Sequence, residues 1–150
     1  MFIETVISSL LKENKLSCAR NMIKENLSSD KKLFYYYMGL SYCCDRDYNK
    51  AVYYFKEARN KGLDNYLINY NLGTAYLEIH EYKAAEEYFL YSINKNRQYE
   101  NSYINLSYIY CMNNDYKKAY RIIKYGISMN RTSEKLNHIE TVLLKNIIGS

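Results

Sequence analysis

A pattern returns every 34 residues along this 150-residue chain. Gly39, Gly73 and Ser107 keep that spacing, and so do Tyr42, Tyr76 and Tyr110. Tyr48, Tyr82 and Tyr116 share it, as do Ala51, Ala85 and Ala119, and then Phe55, Phe89 and Ile123. Chance does not readily place five kinds of position in one register across three copies. A unit of this length cannot bury its apolar face alone, so the period predicts a stacked solenoid in which each repeat packs on its neighbours. Such a fold points to a binding scaffold without naming the partner.

Each copy divides into two helical segments. They run from about Lys32 to Cys44 and Tyr48 to Lys61, then Tyr66 to Ile79 and Tyr82 to Asn96, then Glu100 to Met112 and Tyr116 to Met129. Apolar residues recur at helical spacing within them, as Leu72, Ala75, Tyr76 and Ile79 show. Asp45-Arg46-Asp47 and Asn113-Asn114-Asp115 carry turn chemistry, and Asp47 and Asp115 are placed to cap the following helix. Ile79-His80-Glu81 fills the same turn in the middle copy, and Lys61-Gly62-Leu63-Asp64 offers a glycine stop between copies. The absence of proline and the five glycines agree with long helices and few irregular loops.

On these residues the chain resembles the tetratricopeptide-repeat (TPR) proteins. Met38-Gly39, Leu72-Gly73 and Leu106-Ser107 match that family's large-then-small pair, and Ala58, Ser92 and Gly126 match its late small residue. Tyr35, Asn69 and Tyr103 stand in place of the early tryptophan, and Leu63, Arg97 and Arg131 in place of the closing proline. The resemblance implies an all-α fold, a right-handed α-solenoid of helix–turn–helix repeats. One domain, 1–150, is expected: a degenerate N-terminal hairpin over 1–31, repeats over 32–65, 66–99 and 100–133, and a capping helix over 134–150. The capping helix would start at Thr132 or Ser133 and turn Leu136, Ile139, Val142, Leu143 and Ile147 inward, because a terminal unit must cover an exposed hydrophobic face.

In that family the first helix of each pair lines a concave groove. The groove residues expected here are Tyr36, Leu40, Tyr70, Asn71, Thr74, Leu77, Asn105 and Tyr108. Tyrosine offers a large contact area at low entropy cost and keeps a hydroxyl for hydrogen bonding. The asparagines can bind the backbone amides of an extended peptide. The expected function is a non-catalytic adaptor that takes a peptide or helix of another protein. A small secretion or assembly chaperone has a similar layout. An RNA-binding helical repeat is a third reading, and a groove filled by a second copy of the chain, giving a homo-oligomer, is a fourth. Twenty tyrosines among abundant asparagine, lysine and isoleucine also fit an AT-biased coding sequence, so composition contributes to the aromatic richness.

Other classes find little support. Some TPR proteins grip acidic chaperone tails with converging lysines, arginine and asparagines. Asn71 fits one such place, but Tyr36, Leu40, Asn101 and Asn105 hold the others, so no carboxylate clamp is expected. The only histidines are His80 and His138, and no phosphate loop, metal-ligand spacing or nucleophile motif is present, so neither catalytic residues, metal nor cofactor is expected. The net charge is +5, concentrated weakly around Lys117, Lys118, Arg121 and Lys124, too diffuse for a nucleic-acid stripe. Cys18, Cys43, Cys44 and Cys111 are not spaced to pair, which suggests a reducing compartment. No stretch is long and apolar enough for a membrane span, and the N-terminus has neither a basic start nor a cleavage site, so a cytoplasmic protein is expected.

Overall fold

The computed structural model describes residues 2–149. Every regular element among them is an α-helix: α1 (Phe2–Lys12), α2 (Leu16–Asn26), α3 (Lys31–Cys44), α4 (Tyr48–Asn60), α5 (Tyr66–Glu78), α6 (Tyr82–Lys95), α7 (Glu100–Met112), α8 (Tyr116–Met129) and α9 (Glu134–Ile148). The boundaries fall within a residue or two of those set by the repeat.

One turn is used four times. Asn14, Arg46, His80 and Asn114 all have φ between 56° and 63°, each in the middle of a three-residue link. After each left-handed residue the chain bonds back to the helix just ended: Lys15 N–H to Leu10 O, Asp47 N–H to Tyr42 O, Glu81 N–H to Tyr76 O, and Asp115 N–H to Tyr110 O, all at 2.8–2.9 Å. These bonds satisfy carbonyls that the helix end would leave orphaned. The N-terminal hairpin therefore has the construction of the repeats. Side-chain caps then start the next helix. Asp47 accepts from Lys50 N–H, Asp115 from Lys118 N–H, Asn65 from Ile68 N–H, and Ser133 from Leu136 N–H.

The chain divides into two compact units, Met1–Asp64 with Ala75–Glu81, and Asn65–Thr74 with Tyr82–Ser150. In the first, α1 packs on α2 and α3, α2 on α3, and α3 on α4. Ile7, Leu11, Ala19, Ile23, Leu27, Tyr37 and Met38 form its buried cluster. Gly39 is needed where it stands, since a Cβ there would lie 2.5 Å from the Phe55 ring. Arg20 ties α2 to the end of α3, stacking 4.3 Å over Tyr42 and pairing with Asp45 at 2.8 Å.

In the second unit α6 packs on α7, α7 on α8, and α8 on α9. The close approach recurs: a Cβ at Gly73 would lie 2.7 Å from the Phe89 ring, and one at Gly126 2.9 Å from Tyr103. At the third copy of the first pair, Ser107 carries a Cβ and Ile123 replaces the aromatic. An added carbon facing a phenyl ring at such distances would clash, so the smaller partner compensates the larger one. Ser92 Oγ donates to Tyr66 O at 2.9 Å and accepts from Ser102 at 2.8 Å, so the small residue late in α6 also joins three helices. Tyr103, fully buried in the family's tryptophan place, donates its hydroxyl to Arg97 O at 2.8 Å. Its burial pushes the phenol up to about 12.

Candidate functional site

The first-helix residues meet different surroundings in the two units. In the first, Tyr36 and Leu40 are partly buried and pack against the cluster that contains Ile7 and Leu11 of α1. Tyr36 also lies against Tyr37 and Phe55, at ring separations of 5.3 and 6.1 Å. Tyr37 donates to Glu4 at 3.3 Å, tying α3 to α1. Leu77 is partly buried in the last turn of α5, where its carbonyl accepts the His80 N–H.

In the second unit Tyr70 sits in an aromatic and amide network. Its ring lies 5.0 Å from Tyr99 and 5.9 Å from Phe89, and Asn105 Nδ2 approaches its hydroxyl at 3.5 Å. Asn101 Nδ2 reaches the Tyr99 hydroxyl at 3.4 Å. Thr74 spends its hydroxyl on Tyr70 O at 3.1 Å, within its own helix. Asn71 is half-buried on the same segment. The structure thus brings Tyr70 and Asn105 together, while Tyr108 stands apart from this network and is 51% exposed.

Tyr108 belongs to a second feature. An apolar cleft of about 350 Å³ opens between α7 and α9, both of which pack on α8. Ile104, Ser107, Tyr108 and Cys111 line it from α7, and Ile139, Val142, Leu143 and Asn146 from α9; Tyr116 completes it. None of these nine residues is charged. Two of its polar groups are used within their own helices, because Ser107 Oγ donates to Ile104 O at 2.8 Å and Asn146 Nδ2 to Val142 O at 3.1 Å. Burial raises the Cys111 thiol above its ordinary value, which favours the neutral form.

The α9 contribution is absent from the sequence-based groove. The five apolar residues of that helix were all expected to turn inward, yet only Leu136 and Leu143 are buried, and Val142 is 45% exposed. At 100° per residue the five span an arc of about 140°, more than a single neighbouring helix covers. That width was the available signal. Tyr116, which keeps the repeat spacing with Tyr48 and Tyr82, also lines the cleft.

The charged candidates are largely engaged in structure. Tyr110 OH donates to Glu86 at 2.8 Å and Lys118 Nζ pairs with the same oxygen at 3.2 Å, while the ammonium lies 4.2 Å from the Tyr110 ring centre. Burial first, then the Glu86 carboxylate, raise the Tyr110 phenol well above its ordinary value. Lys124 pairs with Glu140 at 3.0 Å. Two of the four basic residues singled out from sequence therefore link helices. Among the described residues no group of three or more His, Cys, Asp or Glu side chains is placed to hold a metal ion, and no helix is long and apolar enough to cross a membrane.

No family model matches the sequence, and no curated protein matches it. Solved structures match it closely in fold. MamA from Desulfovibrio magneticus RS-1 is 17% identical, with a TM-score of 0.76 over 95% of this chain and 81% of that one. YrrB, described as a TPR protein with an unusual peptide-binding site, is 19% identical, with a TM-score of 0.73 over 91% of this chain and 72% of that one. The first TPR of Spaghetti (RPAP3), bound to the HSP90 peptide SRMEEVD, is 15% identical, with a TM-score of 0.69 over 80% of this chain and 98% of that one.

Proposed function

We propose that this chain, whose fold is that of a tetratricopeptide-repeat protein, is a non-catalytic scaffold that binds a peptide or helical segment of another protein along its first helices. The apolar α7–α9 cleft beside half-exposed Tyr108 carries this reading. Large exposed aromatics next to a concavity are what interface anchors require. Tyr70, Asn71, Thr74, Asn105 and Tyr108 would contact the segment in the second unit. Tyr36, Leu40 and Leu77 are the corresponding first-helix residues of the first unit. Two structural neighbours are described with a peptide or a peptide-binding site, which supports a protein partner.

Apolar burial would supply most of the affinity, and the Asn105 and Tyr70 side chains would fix the register through backbone hydrogen bonds. An uncharged lining disfavours both an acidic chaperone tail and RNA as ligands, since neither would find counter-charges there. The four separate thiols support a reducing compartment, the cytoplasm.

The test is capture of partners from source-cell lysate with wild-type protein and with an Asn105→Ala/Tyr108→Ala variant shown to be folded. A protein retained by the first and lost by the second supports the reading. Equal retention by both would place binding elsewhere.

A further inference from the structure

We propose that the α7–α9 cleft selects an uncharged segment of a partner protein, anchored by one aromatic or branched aliphatic side chain. This rests on the reading that the first-helix face binds a protein segment, and it names the chemistry of that segment.

Three observations converge. The first is size. At about 350 Å³ the cleft is at the lower end of ligand sites and too small for a whole helix, but it can seat one large side chain.

The second is electrostatic. No charged residue lines the cleft, and its Ser107 and Asn146 donors are bonded within their own helices. A carboxylate or ammonium entering it would lose hydration and meet no opposite charge in the lining, whereas an apolar group loses nothing. Complementarity here means neutral against neutral. The neighbouring first-helix positions Asn101, Asn105, Tyr70 and Thr74 are uncharged as well, while Asp115 and Lys117 line a separate pocket that shares Tyr116.

The third is a precedent inside the molecule. Leu33, Tyr36 and Leu40 of α3 stand 68 residues before Asn101, Ile104 and Tyr108 of α7, two repeats earlier in the same register. They pack against a cluster to which α1 contributes Ile7 and Leu11, with Ile3 and Leu10 packed alongside. In the first unit this register thus packs against a cluster to which α1 brings aliphatic side chains, its Glu4 being engaged with the Tyr37 hydroxyl instead. In the second unit Tyr108 at that register is exposed.

The experiment is selection from a displayed library of random peptides of about twelve residues against the full chain. Selected peptides are then titrated by fluorescence anisotropy at about 50 and 500 mM NaCl, a range over which charge screening changes strongly. Val142→Arg and Tyr108→Ala are the site variants. Both positions are about half exposed, so folding should be preserved, and thermal melting checks it. In a Cys18→Ser/Cys43→Ser/Cys44→Ser background, alkylation of Cys111 reports occupancy of the cleft directly.

The expected outcome is a consensus of one Phe, Tyr, Leu or Ile with no charged residue beside it. Its affinity should change less than about 2-fold with salt and fall by about 10-fold or more in Val142→Arg. Bound peptide should also slow Cys111 alkylation. A charged consensus with salt-sensitive affinity, still lost in Val142→Arg and still protecting Cys111, would overturn the inference and leave the binding function standing. Failure to enrich any peptide, or peptides indifferent to both variants, would overturn the inference together with the cleft as the binding site.

Discussion

The same register is closed in one unit and open in the other. Leu40 in α3 packs against a core cluster built with α1, whereas Tyr108, two repeats on, is 51% exposed beside a cleft. The difference lies in what the neighbouring first helix supplies. α1 brings Ile3, Ile7, Leu10 and Leu11 to its side of the first unit. α9 brings Ile139 and Leu143 to the α7 cleft too, but beside them stand Val142 and Asn146, one short and one polar. A repeat thus specifies the scaffold, while the helix at its end decides whether a stretch of first-helix surface is packed or left open.

That contrast can be broken by charge. Leu40→Asp should destabilise by about 3 kcal/mol, because it puts a carboxylate into apolar packing without a partner, and urea unfolding will show it. Tyr108→Asp should cost no more than about 0.5 kcal/mol, as at an ordinary exposed position. Equal costs would mean that the two faces do not differ.

The compensation between small and large residues can be sharpened by a cycle. Gly39→Ala should cost about 1–2 kcal/mol, since the new carbon would lie 2.5 Å from the Phe55 ring. Gly39→Ala combined with Phe55→Ile should cost less than the sum of the two, because it imitates Ser107 with Ile123. Strict additivity in denaturant titrations would show that the pairs are independent.

Arg46 and Asn114 hold the same left-handed turn, at φ 59° and 57°. Arg46→Gly should stabilise by about 0.5–1 kcal/mol, and Asn114→Gly by less, because asparagine tolerates this conformation better than arginine. Thermal melts of the two variants would check the order.

The smallest effect concerns acid. Glu100 accepts a hydrogen bond from Ser133 and pairs with Lys135, and these hold its carboxyl below the ordinary 4.5. A depressed carboxyl contributes stability above its unfolded value and loses that contribution as pH falls through its folded value. Glu100→Gln should therefore flatten the pH dependence of α9 docking below about pH 4.5, read by hydrogen exchange of the α9 amides.

Much of the fold was legible because periodicity and capping are local. The 34-residue spacing of Gly39, Gly73 and Ser107 marks close helix approaches, and Asp47 and Asp115 cap where their positions suggest. The kinship of the first hairpin with the repeats was harder to see, because Asn14 lies 32 rather than 34 residues before Arg46. The cleft was harder still. Val142 reads as part of the capping face, and only the packing shows that α9 turns it and Asn146 toward α7. A cavity depends on what is missing between two helices, and a pattern within one helix does not record it.

Cys43 and Cys111 provide the most direct measurement, since they occupy one register in the two units. Burial, with Cys44 and Glu78 nearby, pushes the Cys43 thiol up to about 12. Cys111 lines the open cleft. The rates of alkylation of two single-cysteine proteins, by an uncharged maleimide near pH 8, decide between closed and open faces. Cys111 should react at least about ten times faster than Cys43, through greater access and a larger thiolate fraction. Equal rates, or a faster Cys43, would contradict an open binding face at α7–α9.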